Sequence, residues 1–280
     1  MVVIQIPDNT HRRLWRWQQR AAPYLFVLPF VVLFAAFLVY PLARSFSLSF
    51  EKSAGPRLWR YVGIGNYRFL LRDPLFWLAC LNTAIYSVLL LVLELPLSLG
   101  LAILLNSKRV RGRALFRFAF FAPFLVGQVF LAMLATLMLA PRQGLVNQFI
   151  GLIFPRIGNE LNWRGNFLLA MPAVVLASEW VSIGFAMILW LAALQAVDPQ
   201  LYEAAAVDGA GPWRRFLHIT LPGIRPMFIF LLIVGTISAL SLFELPWVFF
   251  GGPGPGNAGL TVVMYLYLFG FQVGDLGTAS

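Results

Sequence analysis

Charge is what this sequence has least of. Of its 280 residues only 11 % are Asp, Glu, Lys or Arg, where a soluble domain carries ~25 %. So few charges cannot cover a water-facing surface. Cysteine is nearly absent too: Cys80 stands alone, which excludes a disulfide framework. With only two histidines, His11 and His218, there is little to build a transition-metal site. A G-x-x-x-x-G-K-[ST] phosphate loop is missing, so a Walker-type ATP site within the chain is excluded. Neither a Ser–His–Asp set nor paired carboxylates stand out, and no residue is assigned a catalytic role.

What is present is apolar. Hydrophobic residues make up 60 % of the chain and aromatics 15 %, which excludes disorder as well as a soluble globule. The expected class is an all-α, polytopic transmembrane helical bundle. A span needs about 20 apolar residues, and five stretches reach that length: Ala22–Pro41, Leu78–Leu105, Ala114–Ala140, Phe167–Ala196 and Met227–Phe250. Pro23, Pro29, Pro96, Pro123 and Pro172 interrupt them, which membrane helices tolerate. Leu260–Gln272 is apolar but too short to span, and reads as an interfacial or re-entrant helix. A glycine–proline cluster, Gly251–Gly256, separates it from the fifth stretch.

The net charge of +10 reads as topology and lipid contact rather than nucleic-acid binding. Arg12, Arg13, Arg16 and Arg20 precede the first span. Lys108, Arg109, Arg111 and Arg113 crowd the second connection, and Arg214, Arg215 and Arg225 the fourth. With alternating spans all three groups lie on one side, so the N-terminus is expected in the cytoplasm. The opposite loops hold Arg57, Arg60, Arg68, Arg72 and Arg142 more sparsely, with Glu51, Asp73 and Glu160 among them. Trp15 and Trp17 suit an interfacial belt. The first apolar run is longer than a signal-peptide core and lacks a clean cleavage site, so it is read as a retained helix. The organisation expected is a basic cytoplasmic segment over 1–21 and a membrane domain over 22–280, with a cytoplasmic segment at 198–225.

That cytoplasmic segment, Asp198 to Pro222, is the most informative stretch. Asp198 is placed to cap a helix with Pro199 at its first position. Gly209 and Gly211 end it. Pro212 starts a second helix carrying Trp213 and Phe216, and Pro222 ends that one. Ala204, Ala205 and Ala206 make a flat face that a partner can approach closely. On physical grounds alone an amphipathic loop lying on the membrane fits equally well.

Here the residues resemble a known family. Glu203-Ala204-Ala205, Gly209 and Ile219-x-Leu221-Pro222 are similar to the E-A-A…G…I-x-L-P signature of bacterial ABC-importer permeases. Gly63–Tyr67, Asp73–Trp77 with Asn82-Thr83, and Gly251–Pro253 followed by Thr261 resemble pieces of the carbohydrate-uptake, maltose-type branch. The resemblance implies a type I importer fold, with five complete spans and the start of a sixth, since members of the family continue into a sixth helix beyond a segment like Gly274–Ser280. It implies a bacterial inner-membrane location and a sugar or related polyol as cargo. Glu203, Ala204, Ala205, Ala206, Asp208, Gly209, Trp213 and Phe216 would dock an ABC ATPase dimer. The other partners would be a second, homologous permease subunit and an extracytoplasmic substrate-binding protein. No cofactor would be bound by this chain, ATP and Mg being used by the ATPase. A secondary transporter or a non-transporting scaffold is the alternative, but a secondary transporter usually shows internal repeats, and none is evident.

The substrate path is sought among ionisable residues inside the spans. Glu94, Glu179 and Glu244 qualify, with Gln128 beside them. Ser238, Ser241, Glu244 and Trp247 recur every three residues, roughly on one helix face. Thr83, Ser87, Leu90, Glu94 and Ser98 follow a helical pattern in the second span. Glu244 with Trp247, and Glu179 with Trp180, offer the acid-plus-aromatic chemistry that sugars use. Helix–helix hydrogen bonding is the competing explanation. Gly235 and Ala239 form a small-residue pair better suited to packing.

Overall fold

Long apolar runs leave the backbone one way to satisfy its polar groups within a bilayer, which is to coil. A computed structural model describes residues 9–53, 59–107, 110–154 and 161–280, with backbone only for 9–17 and 19. Helix accounts for 79 % of the structure, in line with the all-α expectation. A small exception is a ribbon pairing β1 (Glu51–Ser53) antiparallel with β2 (Trp59–Tyr61). Arg57, Lys108, Arg109 and Glu160 lie outside the described residues, as do the side chains of Arg12, Arg13, Trp15, Arg16 and Trp17.

The chain forms two compact units, residues 1–70 with 269–280, and residues 71–268. In the first, α1 (Asn9–Phe34) runs through a π-helical turn at Ala35–Val39 into α2 (Tyr40–Leu48). Pro41 explains the turn: it has no N–H for the carbonyl four residues back, so the hydrogen-bond ladder must readjust there. Arg20–Leu48 is apolar and long enough to span. Beyond β2 comes α3 (Gly65–Arg72). Asn66 donates to the carbonyls of Ser49 and Glu51 at 2.9 and 2.8 Å, which fixes the ribbon's base. The chain's last helix, Leu276–Ala279, is capped by Asp275. The Asp275 carboxylate also accepts from the Ser53 and Thr278 backbone N–H groups. Gly277 is required, since a Cβ there would sit 1.7 Å from the Glu51 carbonyl oxygen.

The second unit begins with α4 (Pro74–Asn106), capped by the Asp73 carboxylate accepting from the Leu75 N–H at 2.9 Å. Next come α5 (Arg113–Phe121), a 3-10 turn at Ala122–Leu125, α6 (Gln128–Met138) and α7 (Leu145–Ile153). The long α8 (Phe167–Ala196) leads to α9 (Pro199–Val207), α10 (Pro212–Gly223, with a π turn inside), α11 (Arg225–Leu240), α12 (Glu244–Phe250) and the short apolar α13 (Val262–Val273).

The central seam joins α4 and α8. Tyr86 donates to Ser178 Oγ at 2.8 Å, and Trp190 Nε1 donates to Ser98 Oγ at 3.0 Å. The two pairs are separated by the same interval on both helices, so α4 and α8 run parallel and in register. Van der Waals packing and such hydrogen bonds drive helix association in lipid, because apolar burial gains little there. Gly184 lets α8 approach α5 so closely that a Cβ would fall 1.9 Å from the Phe120 carbonyl oxygen.

Of the five expected spans, three are unbroken helices long and apolar enough to cross a membrane: Arg20–Leu48, Pro74–Asn106 and Phe167–Ala196. The third stretch, by contrast, bends by 106° between Leu125 and Gln128, and the fifth is α11 preceded by α10 at a 62° bend. Five spans therefore require each bent pair to count as one. The fifth stretch also does not run on to Phe250: α11 stops at Leu240 and α12 starts at Glu244. Pro246 explains the stop. Its ring opposes the carbonyl four residues back, at Leu242, and it has no N–H to offer that group. The Thr261 hydroxyl takes over, donating to the Leu242 carbonyl at 2.7 Å.

Candidate functional site

The two broken helices leave their polar residues facing one space. A cavity of about 290 Å³ lies among α4, α6, α8, α11 and α12, bounded by Tyr86, Gln128, Ser178, Ser182, Ser241 and Glu244. Ser238 joins them from the last turn of α11, and Phe124, Leu90, Leu131, Val181, Leu242 and Leu245 supply apolar wall. Phe124 is held by stacking on Phe185, with centroids 4.6 Å apart and planes 11° apart. Gln128, Ser238, Ser241 and Glu244 are exposed, so the cavity is open on that side. An exposed carboxylate amid apolar spans is costly against lipid and belongs beside water or polar cargo. The Ser182 hydroxyl is buried beside the Glu94 carboxyl.

The structure brings some of the predicted path residues together and disperses others. Glu244, Ser241, Ser238 and Gln128 share the cavity. Ser238, Ser241, Glu244 and Trp247 do not lie on one helix face, because the helix breaks between Leu240 and Glu244. Trp247 turns away into an aromatic cluster, 5.8 Å from the Phe243 centroid and 5.0 Å from that of Tyr267. It is not an aromatic platform beside Glu244. Glu179 and Trp180 separate as well: Glu179 is buried in the bundle and Trp180 is exposed. Neither Glu94 nor Glu179 lines the cavity. Both Glu179 carboxyl oxygens are buried with no hydrogen-bond partner.

The pattern on α4 is inward-facing throughout, with Thr83, Ser87, Leu90, Glu94 and Ser98 all buried. Three of its hydroxyls serve the helix itself. Thr83, Ser87 and Ser98 donate to the carbonyls of Ala79, Thr83 and Glu94, four residues back. Gly235 and Ala239 are packing residues: a Cβ on Gly235 would meet Leu91 at 2.7 Å, and Ala239 is buried.

Asn82, Thr83 and Asp73, all singled out in the sequence, bond the segment that follows α12. Asn82 donates to the carbonyls of Asn257 and Leu260 at 2.9 and 3.0 Å, while the Val262 N–H donates to Thr83 Oγ1 at 3.0 Å. These bonds pin the 257–262 loop to α4. Tyr265 donates to the Asp73 carboxylate. Burial, and then that bond, hold the Tyr265 phenol above its ordinary pKa. Tyr86, Ser178 and Ser182 were missed as lining residues. The available signal was the i, i+4 spacing of Ser178 and Ser182 on an apolar helix.

The second candidate region is the α9–α10 pair. Asp198 caps α9 by accepting from the Gln200 N–H at 2.9 Å. Gly209 takes φ +72° and ends α9 in a Schellman turn: the Ala210 N–H bonds the Ala205 carbonyl and the Gly209 N–H that of Ala206. The Tyr202 and Thr220 hydroxyls lie 2.9 Å apart, and Arg215 Nε donates to the Ala210 carbonyl at 2.7 Å, so the two helices are braced together. Trp213 stacks on Phe216 at 5.6 Å. Glu203, Ala204, Ala206, Asp208, Gly209 and Trp213 are exposed, while Ala205 and Phe216 are half-buried. Val207, an apolar side chain, is 89 % exposed. Pro222 sits in the last turn of α10, which ends one residue later than expected, at Gly223.

Residues 94–274 match the family described as binding-protein-dependent transport system inner membrane component. The chain is 36 % identical to the arabinooligosaccharide transport permease AraP of Bacillus subtilis, over 97 % of this chain and 87 % of that one. It is 36 % identical to the lactose transport permease LacF of Rhizobium radiobacter, over 89 % and 83 % respectively. Among solved structures it resembles a chain of a bacterial ABC transporter involved in import of the acidic polysaccharide alginate. That match has a TM-score of 0.80 and 27 % identity, covering 95 % of this chain and 90 % of the other. These relatives are transport permeases rather than enzymes or scaffolds. This chain belongs to the binding-protein-dependent inner membrane component family and is a permease subunit of an ATP-binding-cassette importer.

Proposed function

We propose that the chain forms one half of the translocation pathway for a sugar or related polyol, in a bacterial inner membrane with its N-terminus cytoplasmic. The cavity bounded by Glu244, Ser241, Ser238 and Gln128 is its share of the substrate path. A second, homologous permease closes the open side, and an extracytoplasmic binding protein delivers the cargo. The observation that carries this reading is the meeting of those four polar side chains, from two broken spans, at one cavity in an otherwise apolar bundle. Acids and amides bonding hydroxyls while apolar side chains cover the sugar's other face is the chemistry that binds sugars in a concave pocket. The names of several relatives, carriers of arabinooligosaccharides, lactose and trehalose or maltose, support the cargo class.

The braced α9–α10 pair is the lever. Hydrolysis of ATP, with Mg, takes place in a separate ATPase dimer, which grips Glu203, Asp208 and the alanine face. The rigid pair carries that motion to the α10–α11 bend and so to the cavity, coupling two distinct sites. The basic N-terminal segment and the basic connections meet anionic lipid. The test is co-purification of the ATPase with this chain from membranes. Glu203→Ala and Gly209→Pro should abolish it while leaving the permease monodisperse. Undiminished capture of the ATPase by both variants would sink the docking role.

A further inference from the structure

Among the described residues, the cavity's lining contains one carboxylate, Glu244, several hydroxyls and an amide, but no lysine, arginine or histidine. We infer that this chain's part of the path accepts uncharged polyhydroxyl cargo and rejects anionic glycans. The inference rests on reading the cavity as the substrate site. An anion entering it would lose water and find no cation in exchange. It would also meet the one carboxylate on the wall itself, Glu244.

A positive feature at the cavity is the start of α6, where Gln128 borders it. A helix N-terminus supplies roughly half a charge, against the full charge of Glu244. The start of α12 adds nothing for a guest, because Glu244 occupies its own first turn. Neutral hydroxyls suit the same wall well. Glu244 accepts from them, and Gln128 both donates and accepts. The lining decides a point that the family leaves open, since relatives are named for neutral sugars and for sn-glycerol-3-phosphate alike.

The experiment is equilibrium dialysis of radiolabelled disaccharides against the assembled importer in lipid nanodiscs. The probes are matched pairs differing only in C6 oxidation: α-1,4-galactobiose with digalacturonate, and cellobiose with cellobiouronate. The neutral member of at least one pair should bind roughly a hundredfold more tightly than its acid, the scale of placing an unpaired charge within a bilayer. Glu244→Gln should narrow that gap about tenfold, and Ser241→Lys, which adds a cation to the same wall, should reverse it. Equal or tighter binding of the acids by the unmodified importer overturns the charge selection. Binding of no sugar from either pair overturns the reading of the cavity itself, and the charge selection with it.

Discussion

The α4–α8 seam and the α9–α10 pair belong to one compact unit and follow opposite rules. In the seam, polar groups are few, buried and mostly answered from within. Tyr86 finds Ser178, Trp190 finds Ser98, and Thr83 and Ser87 bond their own helix. In the α9–α10 pair the backbone is fully braced, by the Asp198 cap, the Schellman turn and the Tyr202–Thr220 contact, yet most of the side chains offered outward have no answer in this chain. Glu203, Ala204, Asp208 and Val207 are exposed. A region that satisfies itself is scaffold, and a region rigid in backbone but open in side chain is built to meet something else. The cavity lies between these extremes, with Tyr86 and Ser178 bonded to each other while Glu244 is exposed to the open side.

Substitutions sharpen the contrast. The largest effect belongs to the seam's closest approach. Gly184→Leu places carbon where the Phe120 carbonyl oxygen now lies. Overpacking of that kind costs ~1–3 kcal/mol or more, and here backbone must move. Size-exclusion profiles of the solubilised variant should show loss of the monodisperse peak. Tyr86→Phe comes next. It deletes a buried hydrogen bond and strands Ser178, for about 1–3 kcal/mol, and thermal melting in detergent should fall by several degrees. Asp198→Ala removes an N-cap worth ~1 kcal/mol. Because α9 is exposed, melting should barely move while ATPase capture weakens. Val207→Ser should leave stability untouched and lower only affinity for the ATPase. A seam variant that spares the fold, or a Val207 variant that melts early, would break the division.

The same contrast explains what could be read from sequence. Spans one, two and four are continuous apolar helices, because their length and hydropathy depend on local composition alone. The α9–α10 segment was legible for a similar reason, since caps, glycines and prolines act within a few residues. The broken spans were harder. The cue for the fifth was Pro246, whose missing N–H ends α11 early. What completes that break is the Thr261 hydroxyl, 19 residues further on, and no local pattern announces it. The three-residue spacing placed Ser238, Ser241, Glu244 and Trp247 on one continuous helix, whereas a break separates them, and of the four Trp247 does not border the cavity. Glu94 and Glu179 were candidates because acids in membranes usually face a cavity or the bundle interior, and neither borders this cavity. Whether such a side chain faces the cavity or the seam is settled by tertiary packing, which spacing does not encode.

The most direct test is ATP-driven uptake by the reconstituted importer carrying Gly209→Pro in this chain. Gly209 touches nothing else within reach of a side chain and holds φ +72°, a conformation proline cannot take. The change therefore strikes the geometry of the α9–α10 pair and spares the cavity. The account predicts a folded permease with unaltered sugar binding, with ATPase capture lost and uptake reduced to background. Uptake at the unmodified rate would contradict it.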